Sequence, residues 1–271
     1  MTKVDAWAGR LDGLVVPDCS LEGHWHSLVK RFREAPDAKW IDAQERLLFN
    51  AWASRFKDTL PNESPGAEIV DSTLYLTHFI PFAGQYELDG IPFNLSLETR
   101  FPSDGRMRWK LQTAAPIRFA LMIRIPGWSD NQPSPNPAYR YWHKTNRKMT
   151  LSIDGEWVFP TVEKGFARVE KDWNGAHIIE LTLPLAVRKI IVQDPLVGVD
   201  SFALGWGPVL YGVKKERIPE AGFSPLSRWE EWTTSECLSL LAIPADSVEA
   251  ISQPYQALAT EGIYFLPVSP D

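Results

Sequence analysis

Few residue patterns in this chain have the spacing that common enzyme chemistry requires. The five histidines are scattered, and His24 and His26, two positions apart on a predicted helix, point to different faces. The sequence has no His-Glu-x-x-His or paired Cys-x-x-Cys motif, no Gly-x-Ser-x-Gly elbow, no phosphate-binding loop and no dinucleotide fingerprint. We therefore expect no metal site built from this chain alone and no nucleotide cofactor.

Two adjacent carboxylates stand beside tryptophans, at Glu230 and Glu231 between Trp229 and Trp232. Glycoside hydrolysis needs two carboxyl groups about 5–10 Å apart across the scissile bond. Neighbours in an extended segment face opposite sides and cannot flank one bond in this way. We interpret the segment as a solvated acidic loop, and no other pair of carboxylates is singled out by spacing.

The composition limits the partners of the protein. The 271 residues include 12 Trp and 22 Pro, and the formal net charge is −6 without any basic run. Nucleic acid is therefore not an expected ligand. Exposed tryptophans can stack on sugar rings, so a carbohydrate is a possible ligand, although a buried position is expected for most of them.

The sequence also predicts a location. No apolar stretch reaches the roughly 18 residues that a membrane span needs. The residues after Met1 lack the apolar core of a signal peptide. Cys19 and Cys237 are far apart and are interpreted as free thiols. We expect a cytoplasmic protein that does not contact a membrane.

Helical periodicity is confined to the first 60 residues. Apolar residues recur on one helix face at Leu21, Trp25, Leu28, Val29 and Phe32. Pro36 breaks this pattern, and a second helical pattern follows from about residue 40 to 56. Two helices alone cannot bury such wide faces. Either the rest of the chain covers them or a helical partner chain or a second copy does.

From residue 67 onward the period changes to two, which is typical of strands. The strands end at Gly and Pro corners, notably Ile125-Pro126-Gly127-Trp128 and Gly205-Trp206-Gly207-Pro208. We predict a mainly β protein: a helical segment at 1–60, an antiparallel, jelly-roll-like β-sandwich at 61–130, and a second at 131–271 with an irregular carboxyl-terminal extension. The loop at 129–137 is the predicted boundary between the sandwiches.

Several motifs occur in the same order as in glycoside hydrolase family 127, the β-L-arabinofuranosidase-like proteins. They are Glu45-Arg46-Leu47-Leu48-Phe49-Asn50, Ser72-Thr73-Leu74-Tyr75-Leu76, Glu98-Thr99-Arg100-Phe101-Pro102, Ile123-Arg124-Ile125-Pro126-Gly127-Trp128, Gly165-Phe166-Ala167-Arg168-Val169, Leu181-Thr182-Leu183-Pro184-Leu185 and Gly207-Pro208-Val209-Leu210-Tyr211. The chain resembles the carboxyl-terminal half of these proteins. The resemblance implies that the helical pair corresponds to the last helices of an (α/α)6 barrel, followed by β-sandwiches.

The same resemblance implies a catalytic set that this chain does not fully match. Family enzymes hold zinc with a Glu and three Cys, one Cys being the nucleophile, and use a separate Glu as acid/base. Cys19 matches one metal ligand, whereas Pro17 stands where the family has the Glu ligand. Asp5 lies near the expected acid/base segment. The connection from Ala51 to Ser72 contains no cysteine, so the nucleophile is absent.

Three interpretations remain open. In the first, the chain is a truncated or divergent family member that is not catalytic alone and serves as a carbohydrate-binding or assembly module. In the second, it is a subunit of a split enzyme whose barrel another chain supplies. In the third, it is catalytic through a re-sited centre. We expect no bound cofactor in the first case.

Overall fold

The computed structural model describes residues 21–52, 66–192 and 201–214, together with strand segments at 228–233, 238–243, 251–254, 262–263 and 266–267. In this part of the chain no helix has the length and apolar character needed to cross a membrane.

Two helices open the described chain. Helix α1 spans Leu21–Glu34 and helix α2 spans Ala38–Arg46, continuing as a π-helix over Leu47–Trp52. Asp37 caps α2, because its Oδ1 accepts a hydrogen bond from the backbone N–H of Lys39 at 3.0 Å. The predicted helical pair is therefore confirmed, with a short break at the predicted position.

The β region covers the apolar face of α1. All five predicted face residues are buried. The Phe32 ring packs edge-on against Tyr75 at 5.5 Å between centroids and lies 6.1 Å from Phe166. Trp25 stacks on His78 at 5.6 Å. The sequence left open whether the rest of the chain or another chain buries this face, and the chain's own strands bury it.

Strands make up most of the described chain after the helices. In chain order the first ten are β1 (Ala67–Val70), β2 (Thr73–Leu76), β3 (Phe82–Leu88), β4 (Ile91–Thr99), β5 (Arg106–Thr113), β6 (Ile117–Arg124), β7 (Tyr139–Tyr141), β8 (Thr150–Ile153), β9 (Glu156–Trp157) and β10 (Val162–Glu163). The next ten are β11 (Phe166–Trp173), β12 (Ala176–Thr182), β13 (Val187–Val192), β14 (Ser201–Trp206), β15 (Val209–Lys214), β16 (Arg228–Thr233), β17 (Leu238–Ile243), β18 (Ile251–Pro254), β19 (Gly262–Ile263) and β20 (Leu266–Pro267).

Two sheets pack face to face behind the helices. The first sheet has the order β1-β2-β6-β11-β10, in which β2 and β6 run parallel and the other pairs antiparallel. The second sheet has the order β3-β4-β5-β12-β8-β9 and is antiparallel throughout. Their inner faces share one core, where Phe93 stacks on Phe119 at 5.8 Å and Trp109 and Trp173 are fully buried.

The first sandwich extends past the predicted boundary at residue 130. Strand β11 pairs with β6 along its length, from Ile117 opposite Trp173 to Arg124 opposite Phe166. Strand β12 pairs with β5. The loop at 129–137 instead leads to β7, which pairs with β13, before the chain returns at β8. The predicted boundary at residue 130 therefore does not separate the sheets, because β6 and β5, which precede it, pair with β11 and β12, which follow it.

The third sheet has the order β16-β17-β18-β15-β14-β13-β7, with β19 beside β15 and β20 beside β14. The prediction of an irregular segment over residues 214–234 is wrong for β16, which forms a ladder with β17. The predicted fold class, mainly β with antiparallel sheets behind a short helical pair, is confirmed. The jelly-roll topology stays a prediction.

Candidate functional site

The residues that the family resemblance singles out cannot be placed. Asp5, the catalytic candidate, and Cys19, the candidate zinc ligand, both lie outside the described residues, as does Cys237. Among the residues that the structure does describe, no group of three or more His, Cys, Asp or Glu side chains is arranged to hold a metal ion.

The histidines occupy separate and ordinary positions. His24 and His26 are both exposed on α1, and His26 Nδ1 lies 2.7 Å from the backbone oxygen of Glu22. His78 is buried against Trp25. His177 Nδ1, on β12, lies 2.7 Å from a carboxylate oxygen of Asp154, which follows β8. These contacts are explained by packing within the fold.

The pair Glu230 and Glu231 lies on a strand and not in the loop that we predicted. Their backbone positions on β16 stand opposite Leu241 and Leu240 of β17. The extended backbone agrees with the argument that adjacent carboxylates cannot flank one glycosidic bond.

A buried ionic junction joins helix α2 to the first sheet. Arg124, which has no exposed side-chain surface, ends β6 and points at two carboxylates of α2. Its Nη1 lies 2.6 Å from Asp42 Oδ1, its Nη2 donates to Glu45, and its Nε donates to the backbone oxygen of Thr77 at 2.7 Å. Asp42 and Glu45 stand three positions apart and so share one helix face.

The corner after β6 completes the junction. The backbone N–H of Gly127 donates to Asp42 Oδ2 at 2.9 Å, and Trp128 Nε1 donates to Glu45 Oε2 at 2.9 Å. A Cβ atom at residue 127 would lie 3.2 Å from Asp42 Oδ2, so a glycine fits this close approach. The Pro-Gly-Trp corner therefore donates hydrogen bonds to both carboxylates of helix α2.

The environment of the junction shifts the titration of Asp42. The pKa of Asp42 is raised to about 6, and burial is the main cause. The neighbouring Glu45 carboxylate also raises this pKa, whereas the Arg124 guanidinium lowers it. A raised carboxyl pKa often marks a general acid. Here both Asp42 oxygens are already bonded, and the side chain is only 13% exposed. The shift is explained by burial in a structural junction.

A second junction joins the π-helix to the third sheet. Arg46 donates to the backbone oxygens of Pro208 and Pro133, each at 2.7 Å. Asn50 Nδ2 donates to Pro208 O at 2.9 Å, and Asn50 Oδ1 accepts from the N–H of Leu210 at 2.8 Å. Both Gly/Pro corners predicted from the sequence thus bind consecutive turns of the same helix.

The outer face of the second sheet carries a row of side chains that was not predicted from the sequence. Across neighbouring strands, Glu98 stands opposite Arg108, Arg108 opposite Glu180, Glu180 opposite Ser152, and Ser152 opposite Trp157. Four strand pairings align this row, so no local spacing reveals it. The only local signal is the alternation of charged residues along β5.

This row lies in a groove of about 660 Å³, which we call the outer groove and define by Glu98, Arg106, Arg108, Ser152, Trp157 and Glu180. A second hollow of about 520 Å³ shares Arg106 with it and ends at Trp206. Trp157, with 66% of its surface exposed, differs from the fully buried Trp109.

Ion pairs line the outer groove. Arg108 Nη1 lies 2.8 Å from Glu180 Oε1, and Arg106 Nη2 lies 2.8 Å from Asp104 Oδ2. The hydrogen bond from Lys110 lowers the pKa of Glu98, and the hydrogen bond from Arg106 lowers the pKa of Asp104. These carboxylates accept hydrogen bonds, but they are poorly suited to act as general acids near neutral pH.

Comparison with known proteins agrees with this fold. Residues 73–185 match the family model described as beta-L-arabinofuranosidase, GH127 middle domain. A search of curated proteins finds no sequence that matches the chain.

Solved structures match over nearly the whole chain. A GH127 beta-arabinofuranosidase superposes with a TM-score of 0.76 at 19% identity, over 93% of this chain and 49% of its own. A GH127 beta-L-arabinofuranosidase from Geobacillus stearothermophilus T6 gives 0.69 at 16%, over 90% and 48%. A third structure, titled glycoside hydrolase, gives 0.70 at 16%, over 93% and 52%.

At these identities the superpositions establish the fold. The chain spans about half the length of each solved relative. The family match covers strands β2 to β12. Except for β7, which belongs to the third sheet, these strands build the first sandwich together with β1. The resemblance predicted from the sequence is confirmed: residues 73–185 match the middle domain of the GH127 family, and the chain shares its fold with solved GH127 structures.

Proposed function

We propose that this chain is the β-sandwich portion of a GH127-like carbohydrate-active protein and is not catalytic alone. The observation that carries the proposal is the junction at Arg124. The two carboxylates that the structure brings together at the helices, Asp42 and Glu45, are both bonded to that guanidinium and to the Gly127-Trp128 corner. Neither has a free oxygen directed at a substrate.

Cys19 is the one position in this sequence that matches a zinc ligand of the family. Family enzymes bind zinc through a Glu and three Cys, whereas the described ranges hold no cluster of metal-binding side chains. In sequence, Pro17 stands at the position of the Glu ligand and can bind no metal. The expected lack of bound zinc and the role of Cys19 both stay predictions.

The purified chain tests this proposal directly. We expect no hydrolysis of an aryl β-L-arabinofuranoside above background and no stoichiometric zinc by metal analysis after exposure to the metal and gel filtration. Activity that is abolished by Cys19→Ala, together with bound zinc, would show that the chain is a catalyst. Activity that survives Cys19→Ala but falls on changing a carboxylate would favour a re-sited centre.

The alternative is a subunit of a split enzyme, in which a second chain supplies the barrel. The supporting observation is that the connection from Ala51 to Ser72 contains no cysteine, so a second chain would have to supply the family's nucleophile. The apolar face of α1 does not add support, because Phe32 and its neighbours already pack on the strands.

Co-expression separates these two proposals. A split enzyme would form a stable complex with a helical chain that carries the family's Glu-x-Cys and Cys-Cys segments, and zinc and arabinofuranosidase activity would appear only in the complex. A chain that remains a monomer, or that pairs only with itself, would disfavour the split enzyme. A cytoplasmic location and a lack of nucleic-acid ligands stay predictions.

A further inference from the structure

We propose that the outer groove is a binding site for a neutral oligosaccharide, with Trp157 as the platform on which a sugar ring stacks. The proposal rests on the carbohydrate-active class proposed above and goes beyond it by assigning a site and a ligand class. It requires no catalysis by this chain.

Trp157 provides the exposed aromatic surface of the outer groove. Trp157 lies on β9, a two-residue strand at the edge of the second sheet, and keeps 66% of its surface in water. A ring of this size exposed to water gains from an apolar partner. Its cross-strand neighbour is the hydroxyl side chain of Ser152, and the row continues to the Glu180 carboxylate. An apolar face beside hydrogen-bonding groups suits a sugar, which presents C–H groups on one face and hydroxyls at its edge.

The charges define the ligand further. The groove is lined by three guanidinium groups and three carboxylates, namely Arg100, Arg106, Arg108, Glu98, Asp104 and Glu180. Arg106 and Arg108 are paired with Asp104 and Glu180 at 2.8 Å, and Glu98 is paired with Lys110.

This balance argues against a charged ligand. Because the cations face anions within the groove, the groove presents no net charge to attract a polyanion. Guanidinium N–H groups can still donate to sugar oxygens, and carboxylates can accept from sugar hydroxyls. The lining therefore favours a neutral ligand rich in hydroxyl groups.

The shape points to a chain and not to a single sugar. The row from β4 to β9 crosses four gaps between neighbouring strands, which at about 4.8 Å each span about 19 Å. The groove of about 660 Å³ lies within the range of small-molecule sites, roughly 300–1,000 Å³. The adjoining hollow of about 520 Å³ shares Arg100, Asp104, Arg106 and Thr182 with the outer groove.

The test measures binding by the full chain with isothermal calorimetry. The probes are a neutral arabino-oligosaccharide, a neutral gluco-oligosaccharide and an oligogalacturonate of matched length. We expect at least one neutral probe to bind, and Trp157→Ala to weaken it about tenfold or more. Phe159→Ala is the matched control, because Phe159 is 95% exposed near the same edge but does not line the groove.

A polar variant provides a second measurement. Arg108→Gln removes the central donor of the row, and we expect the neutral probe to bind several-fold more weakly. Arg118→Gln is its control, because Arg118 forms exposed ion pairs on the first sheet, away from the groove. Since all four side chains are substantially exposed, circular dichroism should report folded proteins with similar melting temperatures.

Each outcome decides the proposal. Binding of no probe, binding of the oligogalacturonate alone, or neutral binding that Trp157→Ala leaves unchanged would overturn it. Binding lost in Phe159→Ala and Arg118→Gln as strongly as in the groove variants would also overturn it. The result is independent of catalysis: an active chain that binds sugar at Trp157 contradicts only the non-catalytic proposal, and an inactive chain that binds nothing contradicts only this one.

Discussion

Arg124 Nη1 lies 2.6 Å from Asp42 Oδ1, although the two residues are 82 positions apart in sequence. This contact fixes the helical pair on the first sheet through a charge that has no exposed surface. A buried ion pair adds little stability relative to an apolar replacement of both partners, but loss of one partner leaves the other buried and unpaired.

We therefore predict that Arg124→Met destabilises the protein severely. The substitution leaves Asp42 and Glu45 together in a buried site without a cation, and a loss of about 3–5 kcal/mol is expected. Urea unfolding followed by tryptophan fluorescence measures it. Arg118→Met on the same strand is the control, because Arg118 is 62% exposed in its ion pairs. A change within about 1 kcal/mol is expected there. Equal effects of the two substitutions would argue against the junction.

We predict that the titration of Asp42 makes the stability of the protein depend on pH. Because burial raises the pKa of Asp42 from its ordinary value of 3.8 to about 6, the folded state takes up a proton more readily than the unfolded state. The contribution of Asp42 to stability is therefore greatest below about pH 4 and declines as the pH rises to about 6.

The matched variant is Asp42→Asn, which has no titrating group at this position. The stability of the wild type relative to Asp42→Asn should fall between pH 4 and 6, by at most about 3 kcal/mol. Urea unfolding of both proteins at several pH values measures the difference. Parallel stability curves across this window would show that Asp42 titrates normally.

Trp128→Phe tests the corner separately from the ion pair. The substitution keeps an aromatic ring but removes the N–H that donates to Glu45 Oε2 at 2.9 Å. A loss of about 1–3 kcal/mol is expected, because a buried carboxylate oxygen loses its donor. Trp157→Phe, at an exposed position, should change stability by less than about 0.5 kcal/mol. Thermal unfolding of the two variants side by side makes the comparison.

Asn50→Ala tests the attachment of the π-helix to the third sheet. The side chain of Asn50 accepts from the N–H of Leu210 and donates to Pro208 O, and its loss leaves that buried N–H unpaired. We expect a destabilisation of about 1–3 kcal/mol. Asn94→Ala on the exposed face of β4 is the control. Hydrogen exchange of Leu210 should accelerate in Asn50→Ala alone, and unchanged protection would contradict the assignment.

The sequence predicted the local elements well and their long-range pairing poorly. The alternation predicted from residue 67 onward is observed in β4, β5 and β6, where buried and more exposed side chains alternate. That β6 pairs with β11 could not be predicted, because alternation identifies a buried face but not the strand beside it.

The sequence does contain a signal of the buried junction. Arg124 is a charged residue within an apolar run between Ile123 and Ile125, and Asp42 and Glu45 share one helix face. A charge in such a strand requires a buried partner. The row ending at Trp157 left no comparable signal, because its alignment depends on the register of five strands.

The pairing of β6 with β11 also sets an order of events during synthesis. When residues 67–124 have emerged from the ribosome, β6 has its parallel neighbour β2 but its other edge is open until residues 166–173 follow. An open edge strand of mainly apolar composition is a template for intermolecular pairing. The nascent chain is therefore prone to intermolecular pairing while the next 40 or so residues are synthesised. The yield of folded protein on expression should depend on chaperones that act during translation.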